Sequence, residues 1–176
     1  MDRRKIIIKQ IAKYSIFVLS IFILYIFQST PGFLQFFGIK PVLMLPFCIT
    51  LSMLDDTPQA GVVYLAGGLL TDLSCARVVG TYSIALLLVC VAGVIAVKFF
   101  FRPSYRNFYA FSFVAMVVML SVDFMFNYIM GGAYTSRLIF YMKSVVLVSA
   151  YSAIFSLAFY RFIDYINMRF MRFDAR

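Results

Sequence analysis

The chain has 176 residues, of which 64% are hydrophobic, 19% aromatic and only 13% charged, with a formal net charge of +9. The apolar share is well above, and the charged share well below, that of an ordinary soluble domain, so the composition belongs in lipid. The basic excess does not mark a nucleic-acid reader, because such proteins gather Lys and Arg on a folded polar face, whereas here they fall between apolar runs.

His, Glu and Trp are absent, and the seven acidic residues are all Asp. A His-based triad or a His metal site is therefore impossible. No catalytic residue, cofactor or metal is expected, and the chain reads as a non-enzyme. Cys48, Cys75 and Cys90 are widely spaced, which fits neither a metal-type pair nor a disulfide framework. They read as ordinary small apolar residues.

A bilayer core of roughly 30 Å needs about 20 apolar residues of helix, and six runs qualify as candidate spans in a single transmembrane domain. The first, 11–27, follows the basic leader Arg3, Arg4, Lys5, Lys9 and Lys13. It resembles a signal peptide, but Gln28 to Gly32 supply no small-residue cleavage site, so it reads as a retained helix. The second, 41–54, begins at Pro41, contains Pro46 and is short. The third, 59–73, is rich in small residues. The runs 82–101, 108–130 and 138–162 are long, and Pro58, Arg102-Pro103-Ser104 and Gly131-Gly132 interrupt the apolar pattern where loops are needed. The expected fold is all-α, a polytopic bundle of six transmembrane helices.

Lys and Arg in short loops stay on the cytoplasmic side. With the N-terminus inside, the inner segments carry Arg3, Arg4, Lys5, Lys9, Lys13, Lys98, Arg102, Arg106, Arg161, Arg169, Arg172 and Arg176. The outer ones carry only Lys40, Arg77, Arg137 and Lys143. Six spans with both termini inside satisfy this bias; a re-entrant second segment would turn the C-terminal arginines outward. The inner loop Asp55-Asp56-Thr57 fits least well, since it has no basic residue of its own.

Charges within spans are costly unless paired or facing a cavity. Asp123 and Lys143 fall at matching depth in the fifth and sixth runs, with Asn127 one turn from Asp123. Either they pair, or Lys143 reaches the interface while Asp123 is neutral or capped. Asp72 ends the third run near Arg77, as a structural polar end or as the lining of an outer cavity. Gly61, Gly67, Gly68 and Thr71, and the stripe Ser149, Ser152, Ala153 and Ser156, allow close helix approach; packing within the bundle is favoured over a docking face.

Several of these features combine. The run Lys40-Pro41-Val42-Leu43-Met44-Leu45-Pro46, then Thr57-Pro58-Gln59-Ala60-Gly61, Gly67-Gly68-Leu69-Leu70-Thr71-Asp72-Leu73 and Val79-Gly80-Thr81-Tyr82 resembles the rod shape-determining protein MreD family. That family has a short Pro-initiated second helix, a small-residue third helix ending in a Gly-Leu-Leu-x-Asp-like signature, and a Gly opening the fourth. The likeness covers roughly residues 40 to 90. Cys75, Ala76 and Arg77 stand where many members carry glycines, so the loop conformation is not carried over.

The resemblance implies a non-catalytic scaffold of the cell-wall elongation machinery in a bacterial inner membrane. The implied partners are the bitopic shape protein MreC, the actin-like protein MreB and the peptidoglycan glycosyltransferase and transpeptidase pair, with no nucleic acid. The family is similar in fold to substrate-binding subunits of energy-coupling factor vitamin transporters, which supply the alternative. Those subunits usually bring an Ala-x-x-x-Ala motif in the first helix and a pocket bearing Trp or His, and this chain has neither. An intramembrane protease or a metal-dependent phosphotransferase fits less well, since Asp55 and Asp56 are adjacent and point to different faces of any helix. No channel-filter sequence is evident.

Overall fold

The computed structural model describes residues 3–30, 41–75, 80–99, 105–124 and 136–174, which are helical apart from short turns. The helices are α1 (Arg3–Ser29), α2 (Met44–Leu54), α3 (Ala60–Cys75), α4 (Thr81–Phe99), α5 (Tyr105–Phe124) and α6 (Ser136–Asp174). Ile8–Ser29, Thr81–Phe99 and Val145–Phe170 are long and apolar enough to cross a membrane. Met44–Leu54, Ala60–Leu73 and Arg106–Val122 are shorter apolar helices. The fold is all-α and has the character of a membrane protein.

The architecture is organised around α2, which packs against each of the other helices. Its sequence is apolar on every side, and a helix of that kind has no face to offer to solvent. Each residue from Met44 to Met53 is buried. At about 1.5 Å per residue its 11 residues extend only ~16 Å, and the residues at its two ends, Leu43 and Asp55, are themselves buried, so the free backbone groups there need partners within the chain.

Neighbouring helices supply the missing partners. At the start of α2, the Leu43 and Met44 N–H groups donate to Gln28 Oε1 of α1 at 3.2 and 3.4 Å. The Val42 N–H donates to Ser152 Oγ of α6 at 3.0 Å. Pro46 falls in the first turn, where a missing N–H does little harm. At the other end Asn167 Nδ2 of α6 donates to the Leu54 carbonyl at 3.5 Å, and the Tyr64 hydroxyl of α3 donates to the Asp55 carbonyl at 3.3 Å.

These ties also give the helix directions. Gln28 meets Met44 and Lys13 meets Asp55, so α1 runs antiparallel to α2, whereas Ser152 meets Val42 and Asn167 meets Leu54, so α6 runs parallel to it. Thr71 beside Met44 and Tyr64 beside Asp55 make α3 antiparallel to α2. One end of the bundle therefore holds Gln28, Met44 and Asp72, and the other holds Lys13, Asp55 and Asn167.

Around α2 the core is aromatic and aliphatic: Phe17, Phe47 and Phe159 stack edge-to-face in series, with centroids 6.5 and 5.4 Å apart. The outward surface is also apolar, as at Ile84, 66% exposed on α4. Two helices run on past the apolar spans read from sequence. α6 continues to Asp174, beyond the span at 138–162, with Ile163, Ile166 and Asn167 of the added turns buried. α1 likewise begins at Arg3, well before the apolar run at residue 11.

Candidate functional site

The polar chemistry of the interior is concentrated in two buried carboxylates at opposite ends of α2. Asp55 follows α2 in extended conformation (φ −141°, ψ 109°), its N–H still bonded to the Leu51 carbonyl at 2.9 Å. Lys13 Nζ lies 2.6 Å from Asp55 Oδ2. The Tyr14 hydroxyl donates to the same oxygen at 3.2 Å and is in hydrogen-bond contact with Thr57 Oγ1. Asp55 Oδ1 accepts from the Thr57 N–H at 3.2 Å and from its hydroxyl at 2.6 Å. Burial alone would raise the Asp55 pKa, but the hydrogen bonds from Lys13 and Thr57 and the Lys13 charge outweigh it and hold the group below its ordinary value.

Asp72, one turn before the end of α3, caps α4. Its Oδ2 accepts from the Gly80 and Ser83 N–H groups at 3.0 and 3.1 Å and from the Ser83 hydroxyl at 2.5 Å, while Oδ1 accepts from the Tyr82 N–H at 3.0 Å. A helix start leaves its first N–H groups unsatisfied and carries partial positive charge, so a carboxylate there is doubly favoured. Gly80 turns the chain into α4 with φ +102°, a conformation that glycine adopts readily and other residues rarely do.

Both carboxylates are thus surrounded by donors. Each of these carboxylates accepts four contacts; on Asp55 they divide two and two between the oxygens, and on Asp72 three fall on Oδ2 and one on Oδ1. The arrangement ties helices together. Among the described residues, no group of three His, Cys, Asp or Glu could hold a metal ion.

Of the residues singled out from sequence, Pro41 is buried before α2 and Pro46 lies in its first turn. A Cβ at Gly68 would come within 2.5 Å of Ser83 Cα, and one at Gly67 within 2.7 Å of Cys48 Sγ, so α3 is in close contact with α4 and α2 there. Gly61 is open, with nothing within 4 Å of a built Cβ. The stripe Ser149, Ser152, Ala153 and Ser156 is buried within the chain. Asp123 falls in the last turn of α5 and Lys143 within α6; their side chains, with Asn127 and Arg77, lie outside the described residues.

Sequence reasoning read Lys13 and the Asp55-Asp56-Thr57 loop for topology and placed none of Lys13, Tyr14, Gln28, Asp55, Thr57 and Asn167 in a site. The available signal was the acidic turn Asp55-Asp56 without a basic neighbour, which calls for a partner distant in sequence. Comparison with protein-family models, with curated proteins and with solved structures finds no match in any of the three.

Proposed function

We propose that this chain is a non-catalytic membrane scaffold of the bacterial cell-wall elongation machinery, related to the rod shape-determining protein MreD family. The observation that carries the reading is the convergence of the residues on which the resemblance rests. Thr71 reaches Met44, Gly68 packs on Ser83, and Asp72 gathers Gly80, Tyr82 and Ser83. Segments separated in sequence form one interlocked unit, as expected if the motif builds a fold. The donors that surround both buried carboxylates tie helices to one another, which supports a structural role for the two groups.

On this reading the chain crosses the bacterial inner membrane six times with both termini cytoplasmic. The course of α1 and α3 antiparallel to α2 and α6 favours it, as do Lys9 and Arg169, which belong to helix segments at the Asp55 end. α2 would complete its crossing through the residues that flank it. The function is to hold the bitopic shape protein MreC, and through it MreB and the peptidoglycan glycosyltransferase and transpeptidase pair.

Cross-linking in native membranes followed by purification and mass spectrometry tests the reading. Recovery of wall-synthesis proteins is expected. Recovery of an energising ATPase module together with a bound vitamin would overturn it in favour of a transporter subunit.

A further inference from the structure

Between α1 and the start of α3 runs an open groove of about 720 Å³, within the range of about 300–1,000 Å³ common for small-ligand sites. Its lining is not uniform. Gln10, Tyr14 and Gln59 bring polar groups to it, whereas Val18, Phe22 and Val62 are apolar. The groove is mostly apolar, with Ile11 among its first residues, and on α1 its polar residues Gln10, Tyr14 and Ser15 all stand on the Asp55 side of Val18, Leu19 and Phe22.

Its length identifies the occupant. From Gln10 to Phe22 the lining helix advances about 18 Å at ~1.5 Å per residue, close to one leaflet of a bilayer whose hydrocarbon core is roughly 30 Å thick. A transmembrane helix seated between α1 and α3 would need a seam through both leaflets. A lipid needs one leaflet, with polar groups at the interface end and apolar groups along the rest.

Charge narrows the class further. Lys13 and Asp55 neutralise each other, and the leader before the groove carries Arg3, Arg4, Lys5 and Lys9 against the nearby Asp56. Lys13 also lies against the Tyr14 ring, 5.4 Å from its centroid. Amide donors from Gln10 and Gln59, both exposed, can bind phosphate oxygens while the basic leader attracts a negative headgroup.

We propose that this groove is a binding site for one anionic phospholipid of the bilayer, its headgroup at Gln10 and Gln59 and an acyl chain along Val18, Phe22 and Val62. The proposal rests on the membrane placement of the chain but not on its wall-synthesis role. The test involves no partner protein, so its failure and the failure of that role are distinguishable.

The absence of Trp allows a single introduced Trp to report locally. Leu19→Trp places the reporter on the groove at a position 61% exposed, and Ile84→Trp places a control on the outer face of α4. Each variant, with its helical content checked by circular dichroism, is reconstituted in phosphatidylcholine containing either brominated-acyl phosphatidylglycerol or brominated-acyl phosphatidylcholine at equal mole fraction. The Leu19→Trp reporter is expected to show at least about threefold tighter association with the anionic lipid, and the Ile84→Trp reporter equal association with both. Adding Gln10→Ala and Gln59→Ala to Leu19→Trp should bring its ratio close to one. Equal quenching preference at the two positions would overturn the proposal. So would a Leu19→Trp reporter that neither lipid quenches, as expected if a second copy of the chain filled the groove.

Discussion

Lys13 Nζ and Asp55 Oδ2 lie 2.6 Å apart across 42 positions of sequence, and this contact fastens α1 to the turn between α2 and α3. The Asp55 side chain is 4% exposed and that of Lys13 18%. Lys13→Met keeps the apolar stem but leaves the carboxylate buried without its counter-charge. Removing one partner of a buried pair costs about 3–5 kcal/mol. Because Lys13 retains some contact with solvent and Asp55 keeps its Thr57 bonds, a loss near 3 kcal/mol, about the low end of that range, is expected. Thermal unfolding in detergent should show a lower Tm, with part of the loss recovered when Asp55→Leu accompanies Lys13→Met. An unchanged Tm would exclude a structural role for the pair.

The same carboxylate sets an acid limit on stability. A carboxyl group whose pKa in the folded chain lies below its unfolded value of about 3.9 contributes its full stabilisation above that value and loses it as pH falls through the lowered one. Asp55 is of this kind. The Tm advantage of the parent chain over Asp55→Asn should therefore hold steady down to about pH 5 and shrink below about pH 4. A gap that instead widened on acidification would show that the group is held protonated.

How far the sequence carried this picture depends on whether a feature was local. The apolar runs marked each helix, and Gly67 and Gly68 marked close packing, because helix formation and small-residue contact follow short-range pattern. The central position of α2 was not legible: Met44-Leu45-Pro46-Phe47-Cys48-Ile49 is apolar on all sides, as expected for a buried helix and for one facing lipid alike. Lys13 read as one more charge in a basic leader, since its pairing with Asp55 depends on how α1 packs. The length of α6 was also hidden, because Arg161 and Asp164 end an apolar run without ending a helix. Asp72 was marked as a polar end, but its donors arrive from the next helix.

The glycines of α3 should separate cleanly by substitution with Ala. At Gly68 the added methyl would meet the Ser83 backbone, which can yield only if α3 and α4 move apart; a loss of about 3 kcal/mol, the upper part of the range for overpacking, is expected. At Gly67 the obstacle is the Cys48 side chain, which can turn, so about 1–2 kcal/mol is expected. At Gly61 space is open, and the better helix propensity of Ala should leave stability unchanged or raise it by up to about 1 kcal/mol. Tm values measured in one detergent should follow the order Gly61→Ala, Gly67→Ala, Gly68→Ala, from highest to lowest. Equal Tm values for the last two would mean that α3 and α4 separate readily.

The Asp72 cap can be divided into its carboxylate and its turn. Asp72→Ala leaves the N–H groups of Gly80, Tyr82 and Ser83 without their acceptor, and each buried unsatisfied group costs about 1–3 kcal/mol. Even with partial relaxation, a loss above about 3 kcal/mol is expected. Asp72→Asn keeps one acceptor oxygen but turns an NH₂ group toward donors, so it should lose less than Ala while remaining clearly below the parent. Gly80→Ala isolates the turn: a Cβ there meets nothing within 4 Å, so its whole effect comes from φ +102°, a strain of roughly 1–3 kcal/mol. Hydrogen exchange read by mass spectrometry distinguishes these losses from global unfolding. Asp72→Ala should raise exchange chiefly in the first turn of α4, residues 81–84, while α2 and the middle of α6 keep their protection. Uniform loss of protection across all helices would show that Asp72 supports the whole bundle rather than the start of α4.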